Sequence, residues 1–155
     1  MGVAGVGKTT VGRLLAESEG WPFFDADDFH SPENKEIMRR GQGLNDAQRE
    51  PWLASLRAKI DELAAAGSSA VFACSALKEA YRQRLQAGPH VRFVYLKGTF
   101  ELIQSRLQSR AGHYAGAPLL RSQFEALEEP AGVPAVDAAL SPEQMLEATR
   151  RALGL

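Results

Sequence analysis

The chain opens on Gly2-Val3-Ala4-Gly5-Val6-Gly7-Lys8-Thr9, the spacing G-x-x-x-x-G-K-[ST] of a phosphate-binding loop. Glycines let successive backbone N–H groups converge on an anion. The Lys8 ammonium reaches β- and γ-phosphates, and the Thr9 hydroxyl can ligand Mg²⁺. A helical pattern begins at about Lys8, with Thr10 in its first turn, so a positive helix end faces the same phosphates. The bland alternative is a glycine-rich turn ahead of a helix. Such a loop normally hangs from a buried β-strand that aims it, yet only Met1 precedes Gly2. The expectation is an α/β fold of P-loop type whose first strand is missing from this chain, through a start taken at an internal methionine or through trimming.

A length of 155 residues suits one domain over 1–155 with one sizeable core. Hydrophobic residues at 45% and charged residues at 24% describe a folded globular chain, not a disordered one. Eighteen Lys plus Arg stand against 19 Asp plus Glu, so no global basic field recruits nucleic acid and any anion site is local. Cys74, the single cysteine, excludes an internal disulfide framework. No apolar run is long enough for a membrane span or a signal peptide, and a cytoplasmic location is expected.

Strand-like and helix-like segments alternate, which argues for a parallel sheet with crossover helices. Helices are expected over Lys8 to Glu19, from the Ser31-Pro32 cap to Gly41, over Asp46 to Ala66, Glu79 to Ala87, Phe100 to Arg110 and Leu119 to Leu127, and after the Ser141-Pro142-Glu143-Gln144 cap. Strands are expected at Trp21 to Asp25, Ala70 to Cys74, Val91 to Leu96 and Val133 to Val136. Ala70 to Cys74 is apolar without alternation, as in a central strand covered on both faces. The glycine-rich stretch 111–118 reads as a flap.

In parallel sheets ligands sit beyond the carboxyl ends of the strands, and four such places are polar here. The first is the loop itself. The second is Asp25-Ala26-Asp27-Asp28-Phe29-His30, where Asp25 and Asp27 share one face of an extended chain. One carboxylate there can hold Mg²⁺ and the other can orient or deprotonate an acceptor hydroxyl; the alternative is a solvated turn with an Asp cap. The third is Cys74 to Lys78 with Tyr81 and Arg82, a pocket for a small anion or simply a helix start with exposed cations. Cys74, on an apolar strand, is expected to be inert. The fourth is Arg106 and Arg110, four apart on one helical face, where they can clamp ATP phosphates or merely be solvated. His30 and His113 can bind substrate or cap turns.

Taken together, these strings resemble the P-loop gluconate kinase family. The likeness is carried by Asp25-x-Asp27-x-x-His30, by Asp46, Arg49, Pro51, Trp52 and Leu53, and by Cys74-Ser75-Ala76-Leu77-Lys78-x-x-Tyr81-Arg82. Arg106-Leu107-x-x-Arg110-x-Gly112-His113 and Ser122-Gln123-Phe124-x-x-Leu127-Glu128-Glu129-Pro130 extend it. The resemblance implies a nucleoside-monophosphate-kinase-like three-layer α/β/α fold, ATP-dependent phosphorylation of the 6-hydroxyl of D-gluconate, and a homodimer. By motif match, residues Gly2, Val3, Ala4, Gly5, Val6, Gly7, Lys8, Thr9 and Thr10 would hold ATP, and Thr9 and Asp25 would hold Mg²⁺. Lys8, Asp27, Arg106 and Arg110 would be catalytic, with Asp27 addressing the acceptor hydroxyl. His30, Arg49, Lys78, Arg82 and Gln123 would join Asp27 as gluconate contacts. Shikimate kinase shares the loop and the Asp-x-Asp placement but not the Trp52 insert. A nucleotide-binding module without catalysis is the third reading.

Overall fold

The computed structural model describes residues 1–86, 88–111 and 117–155, with 110, 111 and 117 described by backbone alone. Along the chain run α1 (Lys8–Glu19), β1 (Phe23–Asp25), a 3-10 turn (Ala26–Phe29), α2 (Pro32–Arg39) and α3 (Asp46–Ala65). There follow β2 (Val71–Ala73), α4 (Glu79–Leu85), β3 (Tyr95–Lys97), α5 (Phe100–Ala111), α6 (Ala117–Ala126), β4 (Ala135–Asp137) and α7 (Pro142–Leu153). Helix starts follow local chemistry. The Ser31 side chain accepts from Asn34 N–H ahead of Pro32, and Ser141 and Gln144 form a reciprocal capping box. Asn45 and Gln48 form a second box at the head of α3.

All strand pairing is parallel, in two pairs, β1 with β2 and β3 with β4. Met1 and Gly2 knit the two pairs together. Met1 N donates to Val94 O at 2.6 Å and Leu96 N donates to Met1 O at 2.9 Å. On the other side Gly2 N donates to Ser75 O at 3.2 Å. Upstream of Met1 a cleft of about 400 Å³ separates the pairs, lined by Leu56, Val71, Phe72, Val94 and Leu96 among others. No strand occupies it among the described residues. Two strands depart from expectation, the first of them bordering this cleft. Val71 and Phe72 are only half-buried, not covered on both faces. The strand expected from Val91 begins only at Tyr95, because the preceding rung on the β4 side would need an N–H that Pro134 lacks.

Helices α1 and α7 pack together across β1, β2 and β4, while α3 and α4 pair with each other. Val3, Val6, Leu96, Ile103, Leu120, Val136 and Met145 form one apolar core. Trp52, Leu53, Leu56, Cys74, Tyr81 and Leu85 form the other. The phosphate-binding loop belongs to the first core, and the α3–α4 wall belongs to the second.

Candidate active site

Buried Val3 and Val6, at 3% and 0% exposure, root the loop in the first core. Two glycines are required by close approach. At Gly2 (φ +141°) a Cβ would lie 2.7 Å from Leu96 O, and at Gly5 (φ +78°) it would lie 2.7 Å from Leu107 of α5. Gly7 caps α1 without a side chain, which leaves the first-turn N–H groups of Lys8, Thr9 and Thr10 open to an anion. Lys8 Nζ donates to Val3 O at 2.8 Å. Burial lowers the Lys8 pKa, with Asp27, Cys74 and Asp25 opposing the shift. Ala4 N donates to Gln123 Oε1 of α6 at 2.6 Å.

Thr9 Oγ1 lies 3.2 Å from Asp25 Oδ2. This pairing of a hydroxyl with a carboxylate at the cradle is a hard-oxygen donor set, and it suits Mg²⁺ that takes its other ligands from phosphate and water. No cluster of three or more His, Cys, Asp or Glu side chains that could hold a metal is found among the described residues.

The two aspartates meet, though not as expected. Asp25 ends β1 and the chain turns at once into the 3-10 segment, so Asp25 and Asp27 do not alternate along one strand. Asp25 Oδ1 instead accepts the Asp27 N–H at 3.1 Å, an Asx cap that sequence alternation did not reveal. Desolvation, then the Asp25 charge, raise the Asp27 pKa, against the pull of Lys8 and Arg49. The side chain is open to solvent on one side, which moderates the shift.

The α2–α4 wall gathers the remaining candidates. His30 is buried, not a surface cap, and stacks on Trp52 with ring centroids 4.6 Å apart. Its Nδ1 has no partner among the described residues, and burial, then Arg49, lower its pKa to about 4. Trp52 Nε1 donates to Ala26 O at 2.7 Å, tying the insert helix to the acid-bearing turn. Arg49 anchors its Nε on Leu44 O at 3.2 Å and lies over the Tyr81 ring, 5.6 Å from the centroid. Lys78 flanks the same ring and grips Asp46 at 2.9 and 3.1 Å, while Tyr81 OH also donates to Asp46. Arg82 is turned elsewhere. At 4% exposure its guanidinium spans Ala76 O, Leu77 O and Glu79, bracing the turn at Ala76, whose φ is +42°.

Asp46 and Tyr81 are the residues that reasoning from spacing left without a role, although both stand in the strings that carry the family likeness. Cys74 is buried, and burial pushes its thiol up to about 11, as an inert residue requires. Arg106 is half-buried beside Leu107, on the helix that touches the loop. The Arg110 side chain, His113 and most of the expected flap lie outside the described residues. Residues 117 and 118 of that stretch already belong to α6.

Parallel strands flanked by helices, a glycine cradle with Lys and Thr, and an aspartate set against it define a P-loop small-molecule kinase. The sequence matches the shikimate kinase family over residues 4–130. It is 46% identical over 149 residues to a probable gluconokinase of Rattus norvegicus, covering 84% of this chain and 80% of that protein. With the thermosensitive gluconokinase of Escherichia coli K12 it shares 44% over 131 residues, covering 84% and 70%. The crystal structure of a gluconokinase from Sinorhizobium meliloti 1021 superposes with TM-score 0.91 at 37% identity, covering 99% of this chain and 89% of that one. The chain belongs to the gluconokinase family, within the wider shikimate-kinase-like group of P-loop enzymes.

Proposed function

We propose that this enzyme transfers the γ-phosphoryl group of ATP to the 6-hydroxyl of D-gluconate, giving ADP and 6-phospho-D-gluconate. The observation that carries the reading is the acid-bearing turn between cradle and wall: Thr9 Oγ1 lies 3.2 Å from Asp25 Oδ2, Asp25 Oδ1 accepts the Asp27 N–H at 3.1 Å, and Trp52 Nε1 of the wall donates to Ala26 O at 2.7 Å. Phosphoryl transfer asks mainly for in-line placement and for cations where charge spreads. In this scheme residues 2–10 cradle the phosphates, and Asp27 accepts the proton of the acceptor hydroxyl as its oxygen bonds phosphorus and the bond to ADP breaks. Thr9 and Asp25 would hold Mg²⁺, which would neutralise charge on the phosphate oxygens. Lys8, Arg106 and Arg110 add positive charge on the protein's side. Arg49 and Lys78 are the strongest candidates for the sugar-acid carboxylate, with His30 shaping the floor. Arg82 acts through the turn it braces.

The family match leaves shikimate as the rival acceptor, and a binding module as the non-catalytic rival. ATP consumption measured with gluconate, with shikimate and with no acceptor separates all three. Turnover is expected with gluconate alone. Turnover with shikimate only, or equal consumption in all three vessels, would overturn the proposal. On family likeness we also place the enzyme in the cytoplasm as a homodimer. Sedimentation at the mass of one chain would contradict the dimer.

A further inference from the structure

Two of the contacts described above meet on a single peptide unit. Lys8 Nζ holds the Val3 carbonyl at 2.8 Å, and Gln123 Oε1 holds the Ala4 N–H at 2.6 Å. These are the C=O and the N–H of the same planar group, so neither can rotate without the other. Gln123 is itself well fixed. Leu120, one turn earlier on α6, is fully buried, and Phe124 packs edge-on against Phe100 at 5.5 Å. Beyond the helix, Glu128 N donates to Leu77 O at 2.9 Å and Glu129 pairs with Lys97 at 2.8 Å. The carboxamide oxygen is assigned by its partner, since only the oxygen can accept from an N–H.

We propose that Gln123 is a positioning residue for Lys8: by clamping the Val3–Ala4 peptide, it fixes the carbonyl that aims the lysine ammonium at the ATP phosphates. An ammonium has three donors, so one spent on Val3 O leaves two for phosphate oxygens. A carbonyl locked in place pre-organises that geometry before ATP arrives. The proposal rests on the ATP half of the function above and not on the identity of the acceptor. It assigns Gln123 to the nucleotide, whereas the family resemblance had suggested the sugar acid.

The test is a double-mutant cycle on Mg-ATP affinity, read by calorimetry without any acceptor. Gln123→Met, close in size but without the amide, is expected to weaken Mg-ATP about tenfold in the wild-type background and less than twofold in a Lys8→Met background. Gln123→Ala should behave alike, with thermal melting of every variant confirming a folded chain. Equal loss in both backgrounds, or no loss in either, would overturn the assignment. So would an unchanged ATP affinity accompanied by a raised KM for gluconate, which would return Gln123 to the acceptor. Failure of gluconate as substrate would leave this cycle readable, so the two ideas fail separately.

Discussion

The phosphate cradle and the acceptor wall are built from different material. In the cradle the proposed binding groups are backbone N–H donors joined by the Lys8 and Thr9 side chains, and other side chains hold the backbone: Val3 and Val6 below, Leu107 against Gly5, Gln123 on Ala4. In the wall the proposed binding groups are side chains, Arg49 and Lys78, which lie against the Tyr81 ring, with Lys78 held by Asp46 and with His30 stacked on Trp52 nearby. A backbone site tolerates change around it but reads only charge and shape. A side-chain site can be retuned residue by residue, which is how one fold serves different acceptors.

If this division is right, perturbing each half should leave the other's ligand untouched. The largest effect is expected from Lys8→Met, which removes the cradle's ammonium and should lower kcat/KM by about 10³-fold in steady-state assays. Asp27→Asn should lower kcat by about 10²-fold with ATP affinity unchanged, as loss of a proton acceptor requires. Unchanged turnover would remove Asp27 from the chemistry.

The wall also carries a pH signature. His30 has a folded pKa of about 4 against 6.5 when unfolded, so between those values the unfolded chain binds a proton that the native one refuses. The stability is full above pH 6.5 and is lost as pH falls toward 4, by about 2–3 kcal/mol. Thermal melts across that range should show the loss, and His30→Phe, which keeps the stack on Trp52, should flatten it. The smallest effect is expected from Lys78→Met, a roughly tenfold rise in the gluconate KM with the ATP KM unmoved.

The two halves also differed in how much the sequence disclosed. The cradle was legible because its motif is local: eight consecutive residues and the helix after them. Caps at Ser31 and Ser141 were equally plain, since capping chemistry lies within four residues. Of the wall, Lys78 and Arg82 were picked out by their place after a strand end, whereas the role of Arg49 was legible only through family likeness. Nothing within the string around His30 shows that a tryptophan 22 residues later will bury it, and Asp46 is joined to Tyr81 across 35 residues. The tight turn after Asp25 was misjudged because alternation along a strand presumes that the strand continues, and the side chain of Asp25 ended it. Arg82 looked like an exposed anion ligand because burial by neighbouring carbonyls leaves no trace in spacing.

The most direct test of the division is calorimetric titration of Mg-ATP and of gluconate into the wild-type protein and into Lys8→Met and Lys78→Met. The account predicts that Lys8→Met weakens Mg-ATP, while keeping enough affinity to titrate, and leaves gluconate unchanged, and that Lys78→Met weakens gluconate about tenfold and leaves Mg-ATP unchanged. Weakening of both ligands in both variants, with melting temperatures preserved, would contradict it.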